Sequence, residues 1–291
     1  MNNLNVFNKP NVNQISLTGD LCSGKSTTCK ILVDKLNLEY ISVGVIFRKE
    51  AESKGISVLE LNKQYEASND DLILDKKIFD LRSTPNLVVD ARMGWFFLPE
   101  SFKVYLKTDP KEIVKRALKS DRGPVEDYSN EEEAFKLLHD RKQSEIERFN
   151  RLYYVDFDNP DNFDLIVDTT NLTVDEVADK IITGFEQFKK NKVIMFNFNN
   201  LLPGQNIRML RDEDYKDLPV DEMEPIKVVK DDNYYWIVDG HNRASKCKLN
   251  NKRVPCVLVN PKDVRYDKII TNLYDWEDAF NFRYVFHPFQ K

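Results

Sequence analysis

Short apolar runs alternate with longer stretches of helical spacing along the first 190 residues. The runs are rich in apolar and β-branched residues, so they predict strands, and the stretches between them predict helices. The predicted strands cover residues 14–18, 39–42, 86–90, 102–107 and 163–168. The predicted helices cover residues 24–36, 44–53, 58–82 in two pieces, 110–119, 131–153 and 173–190. This alternation predicts an α/β fold with a five-stranded parallel sheet covered on both faces.

The pattern changes near residue 191, where the last of these helices ends. Beyond it, strands are predicted at 193–196, 224–229, 234–240 and 254–259, with one helix from 240 to 248. This order predicts a small mixed sheet in an α+β domain. We therefore expect a polar segment over 1–13, a first domain over 14–190 and a second over 191–291. No linker rich in Gly, Ser or Pro separates the two domains, so we expect them to be in contact.

The C-terminal tail has a period of two. Phe280, Phe282, Tyr284 and Phe286 alternate with other residues, which predicts a strand with one aromatic face. Such a face can stack nucleic-acid bases. Packing against the first domain, or against a second copy of the chain in a homo-oligomer, is the commoner use and the one that we favour.

Composition and charge exclude several classes of protein. The 291 residues are 41% hydrophobic, which excludes a mostly disordered chain and allows two domains. The net charge of −5 divides into −6 over residues 1–191 and +1 over 192–291. Neither part is a basic nucleic-acid footprint, so nucleic acid is an unlikely partner. No apolar stretch is long enough to span a bilayer.

The N-terminus and the cysteines bear on localisation. The first residues do not combine a basic start with an apolar block, so no secretory signal is predicted. The four cysteines lack metal-type spacing and are expected to be reduced. We expect a cytoplasmic protein with no membrane partner.

The strongest motif is the segment Gly19–Thr27, GDLCSGKST, which fits G-x-x-x-x-G-K-[ST] between a strand and a helix. Glycines allow the backbone N–H groups of such a loop to point at phosphate oxygens, and the following helix adds its dipole. Lys25 would neutralise the β- and γ-phosphates of ATP, and Ser26 would offer a hydroxyl to Mg²⁺. The motif residues predicted to bind the nucleotide are Gly19, Ser23, Gly24, Lys25, Ser26 and Thr27.

Polar residues also follow the second and third strands. Ser42 and Arg48 lie at the end of the second strand and in the next helix, and Asp90 and Arg92 follow the third strand. The carboxyl ends of parallel strands are where ligands bind in open α/β sheets. These residues are therefore candidates for holding the acceptor of a phosphoryl group.

The helix at 131–153 carries a further set of cations. It is charged nearly all round, so we expect it to be exposed or to line a charged cleft. Arg141 and Arg148 are two turns apart and point the same way. Converging arginines suit phosphoryl transfer, which depends on positioning and charge neutralisation. Arg151, like Arg122, is assigned to the solvated surface.

The sequence Asp239-Gly240-His241-Asn242-Arg243 is the chemical centre of the second half. Gly240 allows a tight strand-to-helix turn, and N–H groups at the helix start, with His241 and Arg243, could hold an anion. The alternative is that His241 is an ordinary buried histidine. We favour a phosphate site at this turn.

Residues 14–190 resemble the cytidylate kinases, through ISLTGDLCSGKSTTCKILVDKL, ISVGVIFR, VVDARMGWFF and DRKQSEIERFNRLYYVDF. The resemblance implies an ATP- and Mg²⁺-dependent kinase whose acceptor is CMP or dCMP. It implies that Ser42, Arg48 and Arg92 hold the acceptor, and that Asp90 lies near Mg²⁺ or the acceptor. It also implies that two lid-side arginines clamp the transferred phosphates. These are Arg141 and Arg148, which with Lys25 and Asp90 make up the predicted catalytic set.

Two departures from the family pattern lie on the acceptor side. Val45 stands where an acidic or small residue is usual, and Ala91 stands where Gly is usual. They leave open a kinase for a modified nucleotide, a nucleic-acid end or a small hydroxyl metabolite. A nucleotide-sensing regulatory protein is a further alternative, as is a second kinase activity in the C-terminal half.

Residues 192–262 resemble the ParB/sulfiredoxin-like domain. The resemblance rests on Asn206-Ile207-Arg208, Pro225-Ile226-Lys227-Val228 and Val238–Ala244, in that order. It implies a nucleotide- or phosphate-binding turn at Asp239–Arg243. Sulfinic-acid repair is disfavoured, because that chemistry needs a Cys just before the His-Arg pair and the turn here reads Gly-His-Asn-Arg.

Overall fold

A computed structural model describes residues 12–56, 60–61, 64, 71–119, 128, 130–205 and 223–289. Ten strands and nine helices longer than a single 3₁₀ turn can be followed through these ranges. The strands are β1 (Gln14–Gly19), β2 (Glu39–Ser42), β3 (Leu87–Asp90), β4 (Phe102–Lys107), β5 (Leu165–Asp168), β6 (Ile194–Phe196), β7 (Leu201–Pro203), β8 (Ile226–Asp231), β9 (Tyr234–Asp239) and β10 (Val254–Leu258). The helices are α1 (Lys25–Leu36), α2 (Val43–Lys54), α3 (Asp71–Asp80), α4 (Gly94–Phe97), α5 (Pro110–Lys119), α6 (Glu131–Tyr153), α7 (Val174–Lys190), α8 (His241–Leu249) and α9 (Ile270–Ala279).

The first sheet is parallel throughout, with strand order β2-β3-β1-β4-β5. The prediction of a five-stranded parallel α/β sheet is confirmed. Asp90 is aligned with Ser42 on one side and with Leu17 on the other. This register brings the carboxyl ends of β1, β2 and β3 to one edge, where Ser42 and Asp90 lie side by side.

Two hydrophobic layers cover this sheet. On one face, α1 and α7 pack on a fully buried set that includes Ile15, Leu32 and Ile181. On the other face, α4 and the end of α6 form a second cluster with buried Trp95 and Tyr153. The prediction that α6 is charged nearly all round therefore holds for only part of the helix, because Ala134, Leu138, Phe149 and Tyr153 are buried.

The second sheet is mixed, with strand order β6-β10-β8-β9-β7. Strand β10 runs antiparallel to β6 and parallel to β8, whereas β8 and β9 form an antiparallel pair. The predicted small mixed sheet is confirmed. Strand β7 was missed, because its three residues carry too little pattern to be seen.

The two halves of the chain contact each other through polar groups that are buried or partly buried. Arg82 donates to the carbonyl of Asn233 at 2.8 Å, and Lys230 donates to the Glu100 carboxylate at 2.7 Å. Arg253 pairs with Asp164 at 2.6 Å. The expected contact between the two halves of the chain is thus present.

The tail is not a strand, and the prediction of one was wrong. Phe280 follows α9 directly, and residues 281–289 form turns and bends. The Phe198 ring contacts both Phe280 and Phe282, whereas Phe286 contacts Phe79 and Phe97 of the first half. The alternation reflects a segment that passes between two aromatic clusters, so packing against the first half is confirmed as a use of the tail.

Candidate functional site

The loop Gly19–Gly24 joins β1 to α1 and depends on two glycines. Gly24 has φ of 88°, in the left-handed region that other residues rarely adopt. A Cβ on Gly19 would lie 2.5 Å from the Leu106 carbonyl oxygen of the neighbouring strand. These constraints give the loop the tight strand-to-helix course that the motif predicts.

Lys25 lies folded over this loop. Its ammonium group donates to the carbonyls of Gly19 at 2.9 Å and Asp20 at 2.6 Å. Burial and the positive charge of Arg92 lower the pKa of Lys25 to about 7. An anion in the loop would offset both effects, so this cation is suited to bind phosphate.

Ser26 and Asp90 meet across the sheet edge. The Ser26 hydroxyl donates to the Asp90 carboxylate at 3.1 Å, and the Tyr40 hydroxyl donates to the same oxygen at 3.2 Å. A hydroxyl beside a carboxylate is the kind of oxygen pair that Mg²⁺ accepts, with phosphate oxygens and waters completing its shell. The residues therefore fit the predicted Mg²⁺ site. In the described ranges, no group of three or more His, Cys, Asp or Glu side chains forms a separate metal cluster.

Arg92 connects the loop to α6. Its guanidinium donates to the Gly19 carbonyl and pairs with Glu145 at 3.1 Å. Arg141, one turn before Glu145 on the same helix, pairs with that carboxylate at 3.3 Å. Arg148, one turn after it, lies over the Phe149 ring. Arg92 and Arg141 thus pair with a single carboxylate, and Arg148 lies one turn from it on the same helix.

Glu145 was not singled out in the sequence, although it lies four residues after Arg141 and three before Arg148. Burial alone would raise the pKa of its carboxyl, but Arg92, Arg141 and Arg148 outweigh burial and hold the pKa below its usual value. Glu145 is therefore an ionised counter-ion shared by these arginines.

A second contact between α6 and the loop was also missed. The Asp20 carboxylate is 6% exposed and accepts bonds from the Tyr105 hydroxyl at 2.8 Å and the Thr108 N–H at 2.9 Å. Lys142 of α6 donates to the same carboxylate at 3.1 Å. Burial and Asp20 together raise the pKa of Tyr105, which keeps its hydroxyl protonated as a donor. The Lys142–Asp20 pair fixes α6 over the phosphate loop.

The remaining predicted first-half residues lie around this centre. Ser42 is buried and caps α2 by accepting a bond from the Val45 N–H at 3.3 Å, so its hydroxyl has a local structural role. Ser23 is buried in the loop, whereas Thr27 is exposed on α1. Arg48 belongs to α2, and its side chain lies outside the described part, as does all of Arg122.

A cavity of about 480 Å³ adjoins the phosphate loop beneath α6. Asp20, Arg92 and Lys142 line its polar end. The apolar wall is formed by Leu21, Tyr105, Pro110, Ile113, Val114, Phe135, Leu138, Phe157, Pro160, Phe163 and Ile166. The phosphate loop therefore opens onto space large enough for a ligand group.

The turn in the second sheet has the predicted backbone but uses its side chains locally. Gly240 has φ of 98°, and a Cβ there would lie 2.5 Å from the Ile226 side chain. His241 is buried, and its Nε2 accepts a bond from the Gly204 N–H at 3.2 Å. Burial lowers the pKa of His241 to about 4, which keeps the ring neutral.

The other side chains of this turn differ in exposure. Arg243 donates to the carbonyls of Glu224 at 2.7 Å and Pro225 at 3.1 Å, and pairs with Asp239 at 3.0 Å. Asn242 is exposed. The arrangement matches the interpretation of His241 as an ordinary buried histidine, and Asn206–Arg208 lie outside the described residues.

Comparison with known proteins assigns the chain to a family. A family model described as an AAA domain matches residues 15–136. The cytidylate kinase of Sulfurisphaera tokodaii is 36% identical over 184 residues, which cover 62% of this chain and 98% of that one. The chain belongs to the cytidylate kinase family. It is accordingly a kinase, and the P-loop recognised in its sequence is the nucleotide-binding loop of this family member.

Two other proteins are also similar to this chain. The S-adenosylmethionine-dependent nucleotide dehydratase of Lacinutrix mariniflava is 35% identical over 190 residues, covering 64% of this chain and 39% of that one. The chain thus spans well under half of that relative. A solved shikimate kinase from Bacteroides thetaiotaomicron is 16% identical with a TM-score of 0.45, covering 60% of this chain and 98% of that one.

Among the helices of the described ranges, none is long and apolar enough to cross a membrane.

Proposed function

We propose that this cytidylate kinase family member transfers the γ-phosphoryl group of ATP to a nucleoside monophosphate, with CMP or dCMP preferred. The observation that carries the proposal is the meeting of Lys25, the Ser26–Asp90 pair and Arg92 at one edge of the first sheet. A loop for phosphates, an oxygen pair for a cation and an arginine for the acceptor are the parts that phosphoryl transfer requires.

In the proposed reaction, a phosphate oxygen of the acceptor attacks the γ-phosphorus of ATP. A new P–O bond forms as the bond to the β,γ-bridging oxygen breaks, so the products are ADP and a nucleoside diphosphate. Lys25 offsets charge on the β- and γ-phosphates, while Arg92 orients the acceptor phosphate. Arg141 and Arg148 stabilise charge on the transferred group from the side of α6. Mg²⁺, held by Ser26 and Asp90, would supply further neutralisation of the ATP phosphates.

Glu145 has a defined part in this scheme. It pairs with Arg92 and Arg141, where the transferred phosphates would lie, so it keeps these cations in place before substrate arrives. A bound phosphate would then compete with the carboxylate for the same donors. Ser42 and Arg48 remain proposed acceptor contacts on α2.

The acceptor is tested by incubating the full chain with ATP and Mg²⁺ and each of CMP, dCMP, UMP, AMP and GMP. We expect CDP or dCDP to form fastest, with Lys25→Ala as the inactive control. A different preferred monophosphate would shift the acceptor assignment, which Val45 and Ala91 leave room for. ADP formation that needs a small hydroxyl compound or a nucleic-acid end, and no diphosphate from any monophosphate, would replace the proposal.

We propose in addition that the second sheet belongs to a ParB/sulfiredoxin-like nucleotide- or phosphate-binding domain. Support comes from the left-handed Gly240 that begins α8. Since His241 and Arg243 are occupied locally, binding would depend on N–H groups of the turn and exposed Asn242. Calorimetric titration of the unaltered full chain with CTP and ATP tests this. Two binding sites per chain are expected, and a single site that is weakened by Lys25→Ala would refute the proposal.

A further inference from the structure

Two consecutive asparagines lie where the second half of the chain contacts the first. Asn199 and Asn200 belong to a 3₁₀ turn, Phe198–Asn200, between β6 and β7. Each is 6% exposed, and each directs its side-chain amide at a different helix of the first half. Buried amides make such bonds at fixed geometry, since an unsatisfied polar group costs free energy in the interior.

Asn200 binds the end of α4. Its Nδ2 donates to the Phe96 carbonyl at 2.8 Å, and its Oδ1 accepts a bond from Arg82. Arg82 donates at the same time to the Phe97 carbonyl at 2.7 Å. Helix α4 begins two residues after Arg92, so its carboxyl end is fixed close to the segment that carries this arginine.

Asn199 binds the end of α6. Its Nδ2 donates to the Tyr153 carbonyl at 3.0 Å, where the last turn of the helix has carbonyls without intrahelical partners. Its Oδ1 accepts a bond from Lys248 at 3.2 Å. Helix α6 carries Arg141, Glu145 and Arg148. The bond from Asn199 to the Tyr153 carbonyl therefore holds the helix that supplies these residues.

The two restrained elements also meet at the site itself. Arg92 precedes α4, Glu145 lies on α6, and the two side chains pair at 3.1 Å. Asn199 and Asn200 therefore bind the carboxyl ends of α6 and α4. These are the same two elements that bring Glu145 and Arg92 together. Loss of either asparagine bond would change the distance between α4 and α6, and with it the distance between Arg92 and the arginines of α6.

We propose that Asn199 and Asn200 are positioning residues for phosphoryl transfer, through which the second sheet fixes the arginines of the first. This inference rests on the proposed function. It gives the C-terminal half a part in catalysis that needs no ligand of its own. Asn200 is assigned to placing Arg92 and hence to acceptor binding, whereas Asn199 is assigned to placing α6 and hence to the transfer step.

The test compares Asn199→Ala and Asn200→Ala with Asn162→Ala in the full chain. Asn162 is a matched control, because it is also 6% exposed and donates to a backbone carbonyl, that of Asp156 at 2.7 Å. This carbonyl belongs to a loop that carries none of the arginines. Melting temperatures are recorded for all three variants, so that kinetic effects can be separated from stability.

We expect Asn200→Ala to raise KM for the acceptor and Asn199→Ala to lower kcat, each roughly ten-fold, because small misplacements of catalytic groups are costly. Asn162→Ala is expected to lower the melting temperature by a similar amount and to change kcat and KM by less than about two-fold. Parental kinetics in folded Asn199→Ala and Asn200→Ala, or equal changes in Asn162→Ala, would overturn the inference.

Failure of the proposed function gives a different result. If the unaltered chain phosphorylates no monophosphate, that function is refuted, and the variants are compared by their rates of ATP hydrolysis. A slower rate in Asn199→Ala than in Asn162→Ala supports the positioning role. Equal rates refute it.

Discussion

Each half of the chain has a turn in which a glycine with left-handed backbone geometry precedes a helix. The two turns, at Gly24 and Gly240, differ in the side chains that surround them. At Gly24, the helix begins with Lys25, and Arg92 and Arg141 pair with one carboxylate, that of Glu145. At Gly240, the neighbouring His241 and Arg243 are bound to backbone groups of their own unit. Backbone geometry alone therefore does not distinguish a phosphoryl-transfer site, whereas the grouping of cations does.

Substitution of the loop lysine should produce the largest difference between the two turns. We expect Lys25→Ala to lower kcat/KM for phosphoryl transfer by about 1,000-fold or more, since the proposed role of this charge is to neutralise the β- and γ-phosphates. Steady-state assays of ADP formation measure the change. Lys35→Ala is the control, because Lys35 lies on the same helix and pairs with Asp179 at the surface. A Lys25→Ala enzyme with near-parental activity would remove the basis for distinguishing the turns.

The buried histidine of the second turn should affect the free energy of unfolding rather than the turnover rate. Burial lowers the pKa of His241 to about 4 from the ordinary value of about 6.5, so the unfolded chain binds the proton more readily. Its contribution is complete above about pH 6.5 and is lost as pH falls through about 4, by up to ~3 kcal/mol. Urea unfolding at several pH values measures this.

A matched variant sharpens that pH experiment. His241→Gln should flatten the pH dependence of unfolding between those pH values, because the titrating ring is gone. If the slope is the same in both proteins, other groups are responsible and the buried, neutral state of His241 is refuted.

Removing the counter-ion of the first site should have an intermediate effect. We expect Glu145→Gln to lower kcat roughly ten-fold, because Arg92 and Arg141 lose the charge that holds them in place. Glu147→Gln, two residues along on the exposed side of α6, serves as the control. Unchanged kcat in Glu145→Gln would show that the arginines are placed without this carboxylate.

The smallest effect is expected at the second turn. Arg243→Ala should leave kcat/KM for phosphoryl transfer within about two-fold of the parent, since its guanidinium bonds to carbonyls and to Asp239 of its own half and a partly exposed ion pair contributes little. The assay used for Lys25→Ala measures both variants. A loss comparable to that of Lys25→Ala would place the second turn in the reaction.

Sequence reasoning reached the parts of the site that are local or that follow from topology. The loop at Gly19–Thr27 is a contiguous motif, and the meeting of Ser26 with Asp90 follows from the rule that parallel strands end at one edge. Both are predictable from the sequence. The choice of acceptor was not, because the side chains that would select a base are spread over several elements.

Other parts depend on tertiary contacts that leave little trace in sequence. Glu145 and Lys142 occur on a helix rich in charge, where most side chains are solvated, so nothing but spacing separates them from their neighbours. Asn199 and Asn200 lie in a short polar run whose burial depends on a distant unit. The tail misled the prediction, because alternating aromatic residues look the same in a strand and in a segment packed between two clusters.

The most direct test of the account is one assay of phosphoryl transfer from ATP to CMP with Mg²⁺, run on the unaltered chain, Lys25→Ala and Arg243→Ala. We predict CDP formation by the unaltered chain and by Arg243→Ala, and its loss in Lys25→Ala. No CDP from the unaltered chain, or CDP formation that survives Lys25→Ala and is lost in Arg243→Ala, would contradict it.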